Sequence, residues 1–321
     1  MSFPRRRESI KMIKLFTGSA HPSLSREISK HLRLSLSKSQ VIRFDNSEIK
    51  VVVKEKVKNS TCVIIQPTSN PTDTHLMELF FFADALKRSN AKEIIAFIPY
   101  FGYSRQNREH LPGESVSVNV VIRFLETIGF NSVYTIDLHD EGTEGIFSIP
   151  FTNISAFSIL GREIAHYLKN SKNFDEIAIV SPDQGGVERA QNFAEKFFHT
   201  NKVDIAVIEK RRNLNTPHKS EALNLFGNVK NKTCILIDDV ITSGGTLIHA
   251  AEFCLKRGAK RVLGCVVHHD FSSDTPVKLS QSPIEKIFMT NTIALRPEQK
   301  FKQLEEISIA PLIADEIIKL S

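Results

Sequence analysis

The chain has 321 residues, of which 41% are hydrophobic and 24% are charged, and its formal net charge is +6. This length suits two domains of average size, and the composition is that of an ordinary globular protein. No apolar run approaches the roughly 20 residues that cross a bilayer. The basic residues are scattered and lack the aromatic interleaving of a nucleic-acid groove. We therefore expect neither a membrane nor a nucleic-acid partner.

Short apolar strands alternate with amphipathic helices along the chain. The pattern predicts strands at residues 13–16, 51–53, 62–66, 93–98, 133–136, 176–181, 203–208, 233–237, 262–267 and 286–290, and helices at 24–32, 74–89, 116–128, 156–168, 187–198, 246–257 and 310–320. Buried strands separated by helices of this length are typical of parallel sheets. We predict an α/β fold of two similar domains, residues 12–157 and 158–321, each with a central, mostly parallel sheet flanked by helices.

The termini and the cysteines add two expectations. Residues 1–11 are basic but lack the apolar stretch of a signal peptide, so we expect a leader outside the fold. The four cysteines are Cys62, Cys234, Cys254 and Cys265. None of them forms a C-x-x-C pair, and three lie in apolar runs. Buried cysteines without disulfides or zinc are typical of a reducing compartment, which favours a cytoplasmic location.

The segment CILIDDVITSGGTLIHAAEFCL has the most informative pattern. A buried strand over residues 234–237 is predicted to deliver Asp238 and Asp239 at its tip, and a polar loop then turns into a helix. That loop consists of Thr242, Ser243, Gly244, Gly245 and Thr246. Its amides and hydroxyls, together with the helix N-terminus, can bind an anion. The paired carboxylates can accept hydrogen bonds from ribose hydroxyls or reach them through Mg²⁺. Phosphate at one end and diol at the other describe a ribose 5-phosphate site.

This segment is similar to the phosphoribosyl pyrophosphate (PRPP) motif of the type I phosphoribosyltransferases. That likeness leaves open transfer of the phosphoribosyl group to a base or synthesis of PRPP itself. Five further strings occur in the order typical of the ribose-phosphate diphosphokinases, or PRPP synthetases: FDNSE (44–48), residues 75–108 with SRQNR, TIDLH (135–139), SPDQGG (181–186) and EKRR (209–212). From residue 12 nearly to its end, the chain resembles this family.

The resemblance implies two domains of type I phosphoribosyltransferase fold and pyrophosphoryl transfer from MgATP to ribose 5-phosphate, with release of AMP. It assigns ATP binding to Phe44, Asn46, Ser47, Glu48, Arg105 and Gln106, and Mg²⁺ binding to His139 and Asp183. It assigns catalysis to Lys210 and Arg212, in a flexible loop over residues 210–228, with Arg212 also binding ribose 5-phosphate. It assigns the sugar phosphate to Asp238, Asp239 and the loop from Thr242 to Thr246. Family membership also implies a dimer-based homo-oligomer, with a hexamer as one form.

Two departures from the family pattern keep alternatives open. Thr242 stands where many synthetases have a third acid, and the chain ends at Ser321, where many members continue into a Ser-rich tail at a regulatory phosphate and ADP site. We therefore expect simple competition by ADP. The alternative functions are a phosphoribosyltransferase and a catalytically silent regulatory homologue. Retention of His139, Asp183, Lys210 and Arg212 favours an active enzyme.

Overall fold

The computed structural model describes residues 13–168, 176–198, 205–212 and 220–320. These residues form two compact units. The first contains the described residues up to Ser155, together with Thr292–Ala294 and the segment from Ser308 onward, and the second contains Ala156–Asn291 and Leu295–Ile307. The proposed leader, residues 1–11, lies outside the described residues.

The first unit is built on a five-stranded parallel sheet. Its strands are hydrogen-bonded in the order β1 (Ile13–Thr17), β4 (Thr61–Ile65), β5 (Glu93–Ile98), β6 (Ser132–Ile136) and β7 (Phe151–Ile154). The strands β2 (Ser39–Arg43) and β3 (Ile49–Val53) form a separate antiparallel hairpin. The helices α1 (Pro22–Leu32), α2 (Thr72–Arg88) and α3 (Ser117–Ile128) belong to this unit. The central strands β4 and β5 are apolar and almost entirely buried, as expected for a parallel sheet that is covered on both faces.

The second unit is built on a seven-stranded sheet. The strands follow the order β10 (Ser220–Phe226), β9 (Ile205–Arg212), β8 (Ile177–Ser181), β11 (Thr233–Ile241), β12 (Arg261–His269), β13 (Lys286–Thr290) and β14 (Leu304–Ile307). All neighbours are parallel except β9 and β10, which form a hairpin. Its helices are α4 (Phe157–Tyr167), α5 (Val187–Phe198), α6 (Gly245–Lys256) and α7 (Thr275–Ser280). The predicted α/β class with mostly parallel sheets is confirmed.

The ends of the predicted helices agree with the structure to within two residues, whereas four strands were not predicted. The unpredicted strands are β2, β7, β10 and β14. Three of them lie at sheet edges, where one side of the strand has no neighbour within the described sheet. Edge strands such as LEEI and SEALNLF contain polar residues instead of a continuous apolar run, so the pattern that identified the central strands does not detect them.

The C-terminal helix α8 (Ala310–Lys319) lies in the first unit, whereas the sequence pattern predicted a single domain over residues 158–321. Its buried residues recur at helical spacing along one face, from Ala310 to Ile317, and that face packs against α1. The Ser308 hydroxyl donates to Glu27 Oε2 at 2.5 Å, just before the helix begins. An amphipathic stripe shows that a helix is half-buried but does not reveal which partner covers it.

All four cysteines are buried, as the apolar runs around three of them predicted. Burial raises the pKa of the Cys62 thiol to about 12, so this thiol stays protonated at neutral pH. No helix in the described part of the chain combines the length and apolar character needed to cross a bilayer.

The tip of the β2–β3 hairpin places a serine in the left-handed region. Ser47 has φ 70°, and its N–H donates to the Phe44 carbonyl at 2.9 Å. A side chain in this conformation costs about 1–2 kcal/mol, and glycine removes that cost but loses more conformational entropy on folding. The serine is therefore a local strain that the turn tolerates.

We expect Ser47→Gly to stabilise the first unit by about 0.5–1 kcal/mol because the relieved strain exceeds the added entropy cost. Thermal melting should show a Tm higher by about 1–3 °C. Ser148→Gly is the matched control, since Ser148 is an exposed loop serine that is not among the positive-φ residues, and it should melt at or below the wild-type temperature. Equal shifts in the two variants would show that the hairpin tip is unstrained.

Candidate active site

The two adjacent acids lie inside β11, which continues to Ile241 instead of ending at residue 237 as predicted. β11 pairs with β8 only as far as Leu236, whereas its pairing with β12 continues to Ile241. β12 therefore supports the extra length, and the acids lie beyond the last residue that pairs with β8. Asp239 is almost fully buried and Asp238 is partly buried.

Arg189 of α5 forms ion pairs with both acids. One terminal guanidinium nitrogen lies 3.1 Å from Asp239 Oδ1 and 3.6 Å from Asp238 Oδ1. The side chains of Arg189, Asp238 and Asp239 are 18%, 20% and 4% exposed, so the contact is largely shielded from water. Buried charges of one sign require such a partner, because desolvation costs several kcal/mol per ion. Arg189 is thus the counter-charge of the acidic pair.

The electrostatics of Asp238 reflect its burial and its charged neighbours. Burial raises the pKa of Asp238 well above its usual value, and the neighbouring Asp239 carboxylate raises it further. The Arg189 guanidinium lowers the pKa of Asp238, whereas the charge of Asp183 raises it. Three carboxylates and one guanidinium therefore act on each other at the carboxyl ends of β8 and β11.

Asp183 begins the turn that joins β8 to α5. Its Oδ1 accepts from the Gly186 N–H at 3.2 Å, and the Ser181 hydroxyl donates to the Asp183 carbonyl at 2.6 Å. A Cβ on Gly186 would lie 2.8 Å from Ser181 Oγ, so a larger residue at this position would displace the Ser181 hydroxyl. The tight turn allows α5 to begin directly after the short helix Gln184–Gly186, and α5 is the helix from which Arg189 reaches the acids.

The predicted anion loop connects β11 to α6. Helix α6 begins at Gly245, and Gly244 has φ 75°, a conformation that favours glycine. Ser243, Gly244, Gly245 and Thr246 therefore lie at the N-terminal end of a twelve-residue helix, where amide groups and the helix dipole favour a negative charge. Thr242 lies immediately after β11.

The predicted catalytic residues Lys210 and Arg212 lie two positions apart at the end of β9. A flexible loop was expected over residues 210–228. In the structure, residues up to 212 and residues 220–226 instead form paired strands. Residues 213–219, which connect these strands, lie outside the described residues, as do the side chains of Lys210 and Arg212.

In the first unit, the SRQNR segment follows β5 and lies next to the loop after β6. Asn107 Nδ2 donates to Asp140 Oδ2 at 2.8 Å, which links the segment of Arg105 and Gln106 to the residue after His139. Arg105 and Gln106 are exposed, and Gln106 Oε1 accepts from the Ser117 hydroxyl at 2.7 Å. The structure therefore links the segment of Arg105 and Gln106, predicted to bind ATP, to the loop of His139, predicted to bind Mg²⁺, within one unit.

The tip of the β2–β3 hairpin presents the remaining predicted ATP-binding residues to solvent. Phe44 is 46% exposed, and Asn46, Ser47 and Glu48 are exposed too. Asn46 Oδ1 accepts from the Glu48 N–H at 3.2 Å, so the tip has a defined shape. An exposed phenylalanine on a defined turn offers an apolar face to a ligand or to another protein surface.

Three contacts were missed by the sequence reasoning: Arg189 with the acids, Asn107 with Asp140, and the contacts of the segment after β12 with the anion loop. Arg189 lies six residues after Asp183 on a predicted helix, and that spacing was the one available signal.

The predicted metal ligands belong to different units, His139 to the first and Asp183 to the second. Among the described residues, no three His, Cys, Asp or Glu side chains group closely enough to hold a metal ion by themselves.

A strand that carries two adjacent acids near its carboxyl end, followed by a glycine-rich anion loop and a helix, defines a phosphoribosyltransferase-type site on an α/β sheet. The family models agree with this class. Residues 13–129 match the N-terminal domain of ribose phosphate pyrophosphokinase, and residues 151–288 match the phosphoribosyl transferase domain.

Whole-chain relatives narrow the class to one family. The chain is 37% identical to the ribose-phosphate pyrophosphokinase of Bacillus subtilis (97% of this chain, 94% of the relative) and 39% identical to that of Clostridium perfringens (97% and 95%). A crystal structure of phosphoribosylpyrophosphate synthetase from Mycobacterium smegmatis matches with a TM-score of 0.88 at 32% identity and covers 96% of this chain and 98% of that one. The chain belongs to the ribose-phosphate pyrophosphokinase family, so the resemblance inferred from its motifs is confirmed.

The raised pKa of Asp238 has a measurable consequence for the ligand-free protein. A carboxyl group whose pKa is higher in the folded state stabilises the fold below its unfolded pKa, and this contribution is lost as the pH rises through the folded pKa. We expect Asp238→Asn, measured with a chelator, to raise the Tm at pH 7. The gain should shrink as the pH falls toward the ordinary carboxyl pKa of about 4.

Glu55→Gln is the control, because the pKa of Glu55 is shifted in the opposite direction from that of Asp238. A hydrogen bond from Lys14 lowers the pKa of Glu55. Ionised Glu55 therefore contributes to the stability of the fold at pH values above its unfolded pKa. The variant should accordingly not melt above the wild-type temperature at pH 7. A lower Tm for Asp238→Asn at every pH would contradict the account, because it would show that Arg189 more than offsets the burial of Asp238.

Proposed function

We propose that this protein converts ATP and ribose 5-phosphate into AMP and PRPP. The observation that carries the proposal is the arrangement in the second unit: two carboxylates and their guanidinium partner, next to an anion loop at the start of α6. Diol-binding acids beside a phosphate-binding loop match the two ends of ribose 5-phosphate. Membership in the ribose-phosphate pyrophosphokinase family supports the second substrate.

The sugar phosphate has a defined place in this proposal. Asp238 and Asp239 accept hydrogen bonds from the ribose hydroxyls, and the loop from Thr242 to Thr246 donates to the 5-phosphate. Arg189 keeps the acids oriented by its two ion pairs. Because the loop amides belong to a helix start, the phosphate also gains from the helix dipole.

ATP is assigned to residues of the first unit. Arg105 is suited to a bidentate contact with the phosphates, and Gln106 lies beside it on a loop fixed by the Asn107–Asp140 hydrogen bond. Phe44 offers an aromatic face to adenine, and Asn46, Ser47 and Glu48 offer polar groups to its edge. These roles follow the family pattern, and the exposure of all six side chains or their segments supports access by a ligand.

The residues of the second unit fit a Mg²⁺ ion. Carboxylate oxygens are the ligands that Mg²⁺ prefers, and Asp183 raises the pKa of Asp238 by a repulsion that a divalent cation would relieve. We assign the ion to Asp183, with the acidic pair close to it and with phosphate oxygens and water as further ligands. Bound Mg²⁺ would neutralise phosphate charge and hold the polyphosphate in a fixed orientation.

The chemistry then requires positioning and charge stabilisation more than a covalent intermediate. The ribose O1 attacks the β-phosphorus and loses its proton, the bond to the oxygen that bridges the α- and β-phosphorus breaks, and AMP leaves with that oxygen. Lys210 and Arg212 stabilise the charge that develops on the transferred group, and Arg212 also contacts the ribose phosphate. The anion loop and the acids hold the sugar in line for attack.

We further propose a dimer-based homo-oligomer, with a hexamer as one form, in the cytoplasm. Helices α2 and α3 expose Met77, Val120 and Phe124, and the Phe124 ring packs edge-on against Phe80 with centroids 6.0 Å apart. An apolar patch of this kind is typical of a subunit interface. The four buried cysteines are consistent with a reducing compartment.

The test of the proposed reaction is AMP formation from ATP with ribose 5-phosphate and no nucleobase. We expect AMP and PRPP in equal amounts, and no AMP when ribose 5-phosphate is omitted. ADP as the product would contradict pyrophosphoryl transfer, and a requirement for a base would indicate a phosphoribosyltransferase.

Lys210→Ala tests the catalytic assignment in the same assay. The variant should lose at least about a hundredfold in kcat, comparable to the loss of one preorganised charge donor, with a much smaller change in ATP affinity. Arg211→Ala is the matched control, since it removes the same charge from the adjacent position and should retain most of the activity. Equal losses in both variants would attribute the effect to net charge instead of to Lys210.

A further inference from the structure

The segment that follows β12 holds the anion loop by a single carbonyl group. Three donor groups lie within hydrogen-bond distance of the Thr242 carbonyl oxygen: the Ser272 N–H at 3.1 Å, the Thr275 hydroxyl at 2.6 Å and the Ser272 hydroxyl at 3.3 Å. The single proton of the Ser272 hydroxyl is shared with Asp274 Oδ1 at 3.3 Å and Thr275 Oγ1 at 2.8 Å. We call these three donors the Thr242 clasp. None of its residues belongs to the motifs that identified the site.

The clasp is braced within its own segment. The hydroxyls of Ser272 and Thr275 lie 2.8 Å apart, and the Thr275 N–H donates to the Ser272 carbonyl at 3.2 Å. One residue before Thr242, the Ile241 carbonyl accepts from the Asp270 N–H at 2.9 Å. Thr275 is fully buried, so its hydroxyl proton needs an acceptor inside the protein, and the Thr242 carbonyl is that acceptor.

The orientation of this carbonyl sets the orientation of the next amide. In a planar trans peptide, C=O and the following N–H point in opposite directions. Because the Thr242 carbonyl points to Ser272 and Thr275, the Ser243 N–H points away from them. The clasp therefore fixes one donor of the proposed phosphate loop before any ligand arrives.

The methyl group of Thr275 contributes separately to the same loop. A Cβ at Gly244 would lie 3.4 Å from Thr275 Cγ2 and 3.3 Å from Leu279 Cδ2, so the start of α7 packs closely against the left-handed residue of the loop. Thr275 thus supports two consecutive parts of the loop, the Thr242 peptide by its hydroxyl and Gly244 by its methyl group.

We propose that Ser272 and Thr275 are positioning residues for ribose 5-phosphate: they orient the Thr242–Ser243 peptide so that the Ser243 N–H donates to the phosphate. This inference rests on the proposed function, in which the loop binds the 5-phosphate. A donor that is fixed in advance avoids the ordering cost that a free loop incurs on binding. The clasp should therefore affect ribose 5-phosphate and leave ATP unaffected.

The test compares Thr275→Val with Thr275→Ser in steady-state kinetics of the full-length enzyme. Valine keeps the shape and a methyl group but removes the hydroxyl, and it leaves the Thr242 carbonyl with fewer donors. We expect the KM for ribose 5-phosphate to rise about tenfold in Thr275→Val. The KM for ATP should stay within about twofold, and Thr275→Ser should restore most of the ribose 5-phosphate affinity.

Thr290→Val is the matched control. Thr290 is also fully buried in the second unit, and its hydroxyl donates to the Val267 carbonyl at 2.7 Å. It should lose stability to a similar extent, with no change in the KM for ribose 5-phosphate. Ser272→Ala provides a second variant at an exposed position and should raise that KM by roughly threefold, since the Ser272 N–H bond remains.

Three results would overturn the inference: an unchanged KM for ribose 5-phosphate in Thr275→Val together with Ser272→Ala, an equal rise in Thr290→Val, or a failure of Thr275→Ser to restore affinity. The wild-type enzyme separates this inference from the proposed reaction. If wild type forms AMP and PRPP while the variants show no selective effect on the sugar phosphate, the clasp proposal fails alone. If wild type forms neither product, the proposed function itself fails.

Discussion

The site depends on how two adjacent carboxylates can be kept in a largely buried position. Asp238 and Asp239 repel each other, and burial opposes the ionisation of Asp238. The ion pairs from Arg189, at 3.1 and 3.6 Å, offset part of this cost. Removing Arg189 would leave two largely buried carboxylates without a counter-charge, which is strongly destabilising, so the conformation of the acids depends on Arg189. A ligand that brings hydroxyl donors or a cation would relieve the remaining repulsion.

The fold creates this arrangement through unequal strand lengths. β8 stops pairing with β11 at Leu236, and β12 continues alongside β11 to Ile241. The chain leaves β8 through a tight turn at Gly186, and that turn leads into the helix that carries Arg189. The same extension of β12 leads into the segment of Ser272 and Thr275, which holds the Thr242 carbonyl. Ligand sites at the carboxyl ends of parallel strands commonly arise in this way.

The sequence predicted the parts of this site that depend on local pattern. The run CILI followed by two acids and T-S-G-G-T identified the loop, because an apolar strand, paired charges and glycines each have a distinct local signature. Arg189 could not be identified similarly, since one arginine on an amphipathic helix carries no mark of the strand it will face. The edge strands β7, β10 and β14 lacked the apolar run of central strands, and α8 gave no indication that it would pack on α1. These features depend on contacts between distant residues, which a single sequence does not display.

The central claim is that the acidic pair on β11 binds the sugar, and direct titration tests it most simply. Ribose 5-phosphate, titrated calorimetrically in the presence of Mg²⁺, should bind the wild-type protein. It should bind the double variant Asp238→Asn with Asp239→Asn at least about tenfold more weakly, because hydrogen bonds to charged groups are lost. Affinity for MgATP should change little, and Asp84→Asn, at an exposed acid on α2, should behave as wild type. Unchanged affinity for ribose 5-phosphate in a folded double variant would contradict the account.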